Sequence, residues 1–380
     1  MRLLQASKAY WPHIGGVETV VQQLAEGFAG SGCESTVLVA SETRRASVEV
    51  RNGVTVKRVA SLGRVLSLPL APRYRSSLQA AEADVLLVHE PSLLAATALL
   101  TGGAQLRRRF DRLIVWWHSD IVRQSALATA YGPILRQLLK SADRIIAATP
   151  HHVTSSSLLG EFVSKIEIVP FGIDPDRYVP DTARRVRVRD LRAHWNDEPL
   201  ILFVGRLARY KGLHRLGSAM DQVPEGHLVA VGSGPCRAEL TNSAAYAQGR
   251  VTVLPHLGER ELGDLLWAAD LLVLPSDQPS EAFGLVQLEA MACGTPVVTL
   301  DLPTGVTWVN RHGETGLVAR RDEPSSLATA INTLVADGAL RKTLGDQARA
   351  RVLREFTEKR MVAATLQACS AGPLDGRSVA

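Results

Sequence analysis

Cysteine is scarce in this chain. Four cysteines in 380 residues (Cys33, Cys236, Cys293 and Cys369) are widely scattered, which excludes a disulfide framework and a cysteine-based metal cluster. Such usage fits a reducing, cytoplasmic setting. Long apolar runs are missing as well. None approaches the ~20 residues that a membrane-spanning helix needs. The opening MRLLQASKAYWPHIGG has neither the apolar core nor the small-residue cleavage site of a signal peptide. No short repeat or low-complexity tract interrupts the sequence. What remains, at 46% hydrophobic and 21% charged residues, is the composition of a globular protein with real cores, long enough for two or three domains.

The net charge is +5, and its distribution is uneven. Residues 1–180 hold 20 Lys/Arg against 15 Asp/Glu, whereas residues 181–380 hold 23 of each. The surplus is densest from 44 to 144, with 16 basic and 7 acidic residues. A basic first half suits either a solvated basic face or an anionic partner such as a membrane surface or a phosphorylated substrate.

Short β-rich runs alternate with helical patterns in both halves. STVLVA, DVLLVHE, RLIVWWHSD and DRIIAATP read as strands in the first half, and LILFVGR, HLVAVGSG, DLLVLPS and TPVVTLD in the second. This alternation predicts an α/β chain with parallel sheets covered on both faces. Between them, FGIDPDRYVPDTARRVRVRDLRAHWNDEP crowds Pro, Asp and Arg, and its apolar period disappears. The reading is two Rossmann-like, doubly wound lobes facing across a cleft. One spans 1–180, completed by a C-terminal helix at about 356–370, and the other spans 181–355. The cleft is a natural ligand site.

Four clusters carry candidate chemistry. The first is SEAFGLVQLEAMACGTPVV (280–298), read as a helix capped by Ser280 and ended by Gly294. Its start, Phe283, Gly284, Leu285 and Val286, would offer free amides to a phosphate. Glu281 and Glu289 flank that start, where carboxylates can accept from the hydroxyls of a ribose and a second sugar. The second is FVGRLARYKG (203–212), where Arg206 and Lys211 follow a strand and are placed to neutralise a departing diphosphate. The third is HIGGVE (13–18), whose Gly15 and Gly16 bring backbone amides close to a phosphate or sugar. The fourth is WWHSD, with His118 near the carboxyl end of a strand, able to hydrogen-bond a substrate hydroxyl.

Other motifs are set aside. Asp174 and Asp176 in DPD have the Asp-x-Asp form of some metal sites but lie beside prolines, as in a turn. VGSGP (231–235) is an incomplete dinucleotide fingerprint. His151 and His152 lack metal-ligand spacing, and RRRF (107–110) reads as a solvated or lipid-facing edge rather than a nucleic-acid site.

Taken together, GGVE, VGRLARYKG and HLGERELGDLLWAADLLVLPS leading into SEAFGLVQLEAMACGTPVV resemble the retaining glycosyltransferases of family 4, which have the two-lobe GT-B fold. The resemblance spans nearly the whole chain, and its most specific part is the Glu-x7-Glu motif. It implies that Glu281 contacts hydroxyls of the donated sugar and Glu289 the donor ribose. Arg206 and Lys211 would grip the diphosphate with amides around Phe283–Val286. His118 would match the family's cleft histidine, Gly15–Gly16 the glycine loop, and Pro255 and His256 would flank the nucleobase.

The implied chemistry is metal-independent front-side transfer with retention, using no cofactor beyond the nucleotide-sugar co-substrate. The implied acceptor is a saccharide or polyprenyl-linked saccharide in cell-surface glycan synthesis, reached from the cytoplasm or from the inner face of an anionic membrane. Arg64, Arg73, Arg75 and Arg107–Arg109 among leucines would supply that surface. Where many relatives continue with an aspartate and a glycine pair, this chain reads TLDLPTGVTWVNRHGETGLV. Thr304, Gly305 and Trp308 then stand near the sugar pocket, and the donor reads first as GDP-mannose and next as a UDP-hexose. The rival readings are a non-catalytic sugar-nucleotide-binding module, an epimerase or phosphorylase of the same architecture, and, last, an NAD dehydrogenase.

Overall fold

The computed structural model describes residues 1–13, 15–65, 68–119 and 125–371, with the side chains of 64, 65, 68 and 125–130 outside that description. The chain folds as two compact units. Met1–Phe171 and the chain from Glu358 on form one, and Gly172–Thr357 the other.

The first unit is built on an eight-stranded sheet. Its strands are β1 (Arg2–Ala6), β2 (Glu34–Ala40), β3 (Ser47–Arg51) and β4 (Val54–Val59), then β7 (Val85–Glu90), β8 (Arg112–Trp117), β9 (Arg144–Ala147) and β10 (Ile166–Ile168). A separate small hairpin pairs β5 (Arg64–Val65) with β6 (Leu68–Pro69). The spatial order is β10-β9-β8-β7-β1-β2-β4-β3. All neighbours are parallel except β3, which pairs antiparallel with β4 at the edge. Every residue of β7 is buried, as expected for a central strand covered on both faces. One covering helix, Gly16–Gly30, buries Val20, Val21, Leu24, Ala25 and Phe28 along a single stripe. The C-terminal helix, Glu358–Ser370, packs against it.

The second unit carries β11 (Leu200–Val204), β12 (His227–Val231), β13 (Val251–Leu254), β14 (Leu271–Leu274), β15 (Val297–Leu300) and β16 (Gly316–Ala319). All run parallel in the order β13-β12-β11-β14-β15-β16. The strand order reverses between β11 and β14, and in the first sheet between β1 and β7. Ligands of open α/β sheets bind at the carboxyl ends of strands beside such a reversal.

Two local expectations change. The stretch without apolar period contains a helix, Thr182–His194, none of whose residues is fully buried. Charge holds it in place of an apolar stripe. Asp181 caps it by accepting from the Arg184 amide at 2.6 Å. Arg184 and Arg187 converge on the buried Asp264, and Arg192 reaches Asp270 at 2.8 Å. Residues 172–180, placed by sequence in the first lobe, pack with the second unit. The Ile173 amide donates to the Phe356 carbonyl at 2.9 Å, and Trp267 Nε1 donates to the Tyr178 carbonyl at 2.7 Å.

Candidate active site

Two loops leave the carboxyl ends of β11 and β14 and meet at the reversal point of the second sheet. The first, GRLARYKG, is shaped by its neighbours. A Cβ on Gly232, after β12, would fall 2.0 Å from the Gly205 carbonyl oxygen, so only glycine permits that approach. The Leu207 amide donates to Ser233 O at 2.9 Å, and Cys236 N returns to Leu207 O at 2.9 Å. VGSGP is therefore the clamp of the basic loop. Gly212 ends the loop in the left-handed region at φ 67, where a Cβ would lie 1.9 Å from the Pro275 carbonyl oxygen. That contact, with Asp277 N donating to Tyr210 O at 3.2 Å, seats the turn holding Lys211 beside the exit of β14.

Lys211 and Glu281 consequently pair, Nζ to Oε2, at 2.5 Å. Both are 8% exposed, and Ser276 Oγ donates to the same carboxylate oxygen at 3.0 Å. A buried charge is costly unless it is answered, and here a cation and a hydroxyl from adjacent loops answer it. Arg206, on the same loop as Lys211, differs. It is exposed, and its guanidinium has no hydrogen-bond or ionic partner among the described residues.

The helix after Glu281 starts later than its sequence suggests. It spans Val286–Ala292, with Leu285 at the cap position, and Ser280 does not cap it. The reason is Gly284, whose φ of 73 breaks helical geometry, and a Cβ there would meet Leu274 Cδ2 at 2.6 Å. The amides of Gly284 and Leu285 make no hydrogen bond among the described residues. Phe283 turns its ring inward, edge-on to Phe356 at 6.3 Å. Gly294 does stand just past the helix end in the left-handed region, at φ 77.

Glu289 lies further along that helix and is half-buried. The Tyr178 hydroxyl hydrogen-bonds it. Burial, reinforced by Glu259 and opposed by Arg177 and that bond, pushes its pKa up to about 7. The divergent segment after β15 divides. Thr304 caps a short helix, Gly305–Val309, and the Gly305 amide donates to Ala282 O at 2.8 Å, next to Glu281. Trp308 faces Phe356, edge-on at 5.5 Å. Pro255 and His256 are exposed directly after β13. Asp174 caps the 3₁₀ turn Pro175–Tyr178 by accepting from the Asp176 amide at 3.1 Å.

In the first unit, Gly15 is the extended cap residue (φ 179) of the helix that Gly16 opens, and Ile14 of HIGGVE lies outside the described residues. His118 follows β8 and is buried, 3% exposed, in a stack with His89, Trp116 and Phe171. Its Nε2 lies 2.9 Å from His89 Nδ1, and His89 Nε2 lies 2.7 Å from Gln5 Oε1. Burial, with His89 and His152 adding to it, holds the His118 pKa well below the ordinary histidine range. Sequence reasoning missed Gln5, His89, Ser276 and Tyr178. The signals were a polar residue inside LLQAS, the VHE that ends β7, and the serine after DLLVLP.

Residues 14–177 match the model of Glycosyltransferase Family 4, and residues 189–351 that of Glycosyl transferases group 1. The chain is 33% identical over 369 residues to D-rhamnosyltransferase WbpZ of Pseudomonas aeruginosa PAO1, covering 94% of this chain and 92% of that one. It is 29% identical over 373 residues to O-antigen chain mannosyltransferase C of Escherichia coli, covering 95% and 96%. Among solved structures, sucrose-phosphate synthase of Thermosynechococcus elongatus superimposes with a TM-score of 0.76 at 25% identity, covering 97% of this chain and 98% of that one. HepE of Anabaena in complex with UDP gives 0.76 at 21%, covering 97% and 99%, a likeness of fold. The chain is a GT-B-fold glycosyltransferase and belongs to glycosyltransferase family 4.

Proposed function

We propose that this glycosyltransferase moves a hexose, with retention of configuration and without a metal, from a nucleoside-diphosphate sugar to a saccharide or polyprenyl-linked saccharide of a cell-surface glycan. GDP-mannose is the first donor to test and a UDP-hexose the next. The observation that carries the reading is the buried Lys211–Glu281 pair at the strand-order reversal, with Arg206, which has no partner among the described residues, on the same loop. Glu281 keeps acceptor capacity for sugar hydroxyls, because Lys211 and Ser276 meet only Oε2. Arg206 and Lys211 neutralise the diphosphate as it leaves, helped by the amides of Gly284 and Leu285. Removing one such partner costs about 3–4 kcal/mol of barrier. Glu289 accepts from the donor ribose, Pro255 and His256 border the base, and Gly15–Gly16 and His118 contact the donor phosphates and reacting sugar. Curated relatives named for rhamnosyl transfer and for O-antigen mannosyl transfer support the glycan class.

A lipid-linked acceptor accords with a basic first unit. Leu62 and Leu70 are 60% and 47% exposed, near exposed Arg73 and Arg75. Arg107 is instead engaged internally by Asp143, Ser141 O and Phe110 O, and the Arg64 side chain lies outside the described residues. No described helix is long and apolar enough to cross a membrane, so the contact proposed is peripheral. Proton NMR of the product formed from each donor, with and without EDTA, tests the reaction. An inverted anomer or a strict metal requirement would overturn it. Co-sedimentation with anionic against neutral vesicles tests the surface, and binding indifferent to lipid charge would remove it.

A further inference from the structure

The relay Gln5–His89–His118 runs across three adjacent strands, β1, β7 and the end of β8, with all three side chains 0–3% exposed. Its polarity follows from hydrogen-bond chemistry. With the Gln5 amide turned so that Oε1 faces His89 at 2.7 Å and its Nε2 has no partner among the described residues, the amide oxygen accepts and His89 Nε2 carries a hydrogen. Burial lowers the His89 pKa to about 3, so the ring is neutral and its Nδ1 is bare. That bare nitrogen, 2.9 Å from His118 Nε2, takes its hydrogen bond from His118. Only Nδ1 of His118 is then left as an acceptor, and it has no partner among the described residues. A buried acceptor without a donor is uncommon in folded proteins.

We propose that Gln5 and His89 are positioning residues that fix His118 as its Nε2–H tautomer, so that its bare Nδ1 accepts from a hydroxyl of the bound saccharide. This rests on the reading of His118 as a substrate contact. A second histidine that sets the tautomer of the first acts as outer partners do for metal-bound histidines. The His89 and His118 rings meet edge to edge with an interplanar angle of 24°, and Trp116 and Phe171 lie near parallel beside them.

The test is nitrogen-15 NMR of histidine-labelled full-length protein, with His118 assigned by its loss in His118→Gln. The expected spectrum shows His118 and His89 both bare at Nδ1 and hydrogen-bearing at Nε2. His89→Leu mixes the His118 tautomers and lowers kcat about tenfold or more with donor KM unchanged. His89→Asn, whose amide oxygen can occupy the place of Nδ1, restores the tautomer and most of the lost kcat. A wild-type His118 carrying its hydrogen on Nδ1 overturns the proposal whatever the variants do. That state would follow if the Gln5 amide nitrogen faced His89. Equal loss in His89→Leu and His89→Asn, with the tautomer unchanged in both, also overturns it. Full turnover by His118→Gln, with the wild-type spectrum as expected, overturns instead the reading of His118 as a substrate contact.

Discussion

At the scale of single residues, Lys211 and Arg206 separate the proposed binding of the leaving group from stability. Lys211 and Glu281 are buried together, and deleting one partner strands the other, a loss of about 3–5 kcal/mol. Arg206 is exposed and has no partner among the described residues, so Arg206→Ala should lower turnover about a hundredfold or more with an unchanged melting temperature. Lys211→Ala should lose both turnover and stability. The double variant Lys211→Met with Glu281→Gln should regain stability and remain inactive. Parallel melting curves and initial rates check all three, and a stable, active Lys211→Ala would break the scheme. The sequence made the carboxylates and cations of this site visible but not their pairing. Pairing depends on Ser276 and Pro275, which become neighbours of Lys211 only when β11 and β14 lie side by side.

At the scale of elements, the contact between Gly212 and Pro275 sets the spacing of the two site loops. Gly212→Ala places a methyl group where the Pro275 carbonyl oxygen stands and strains a positive φ. The expected outcome is a loss of about 1–3 kcal/mol, with turnover falling further than that loss explains, because Lys211 shifts from Glu281. Denaturant melts paired with rates measured well below the transition check this, and wild-type activity would contradict it. The strand pattern was legible because central strands such as DVLLVHE read as short runs of buried residues. The helix Thr182–His194 was not, because Arg–Asp pairing holds it where an apolar stripe would have been visible. The late start of Val286–Ala292 was hidden too, since the packing of Gly284 against Leu274 lies outside local sequence.

At the scale of the whole molecule, a buried carboxyl makes stability depend on pH. Glu90 accepts from the Ser92 amide at 2.7 Å and from the Tyr131 hydroxyl at 2.9 Å. Burial nevertheless pushes its pKa up to about 7, against those two bonds. The folded state therefore holds a proton that the unfolded chain gives up near 4.5. Stability from this group is fully present below that value and is lost as pH rises through about 7. A shift of this size corresponds to about 3 kcal/mol. Glu90→Gln cannot ionise and should gain stability relative to wild type between pH 5 and pH 8, by about 2–3 kcal/mol. Urea melts at the two pH values check it, and a pH-independent difference would contradict it. Glu289, shifted in the same direction, adds a slope of the same sign that Glu90→Gln leaves in place.

The central claim is that the loops after β11 and β14, both in the second unit, form the donor site of a glycosyltransferase. Its most direct measurement is release of nucleoside diphosphate from GDP-mannose and UDP-hexoses with a saccharide acceptor, comparing wild type with Arg206→Ala. The account predicts release coupled to acceptor glycosylation in wild type. It predicts near-complete loss of both in Arg206→Ala, whose melting temperature matches wild type. Wild-type rates in Arg206→Ala would contradict it.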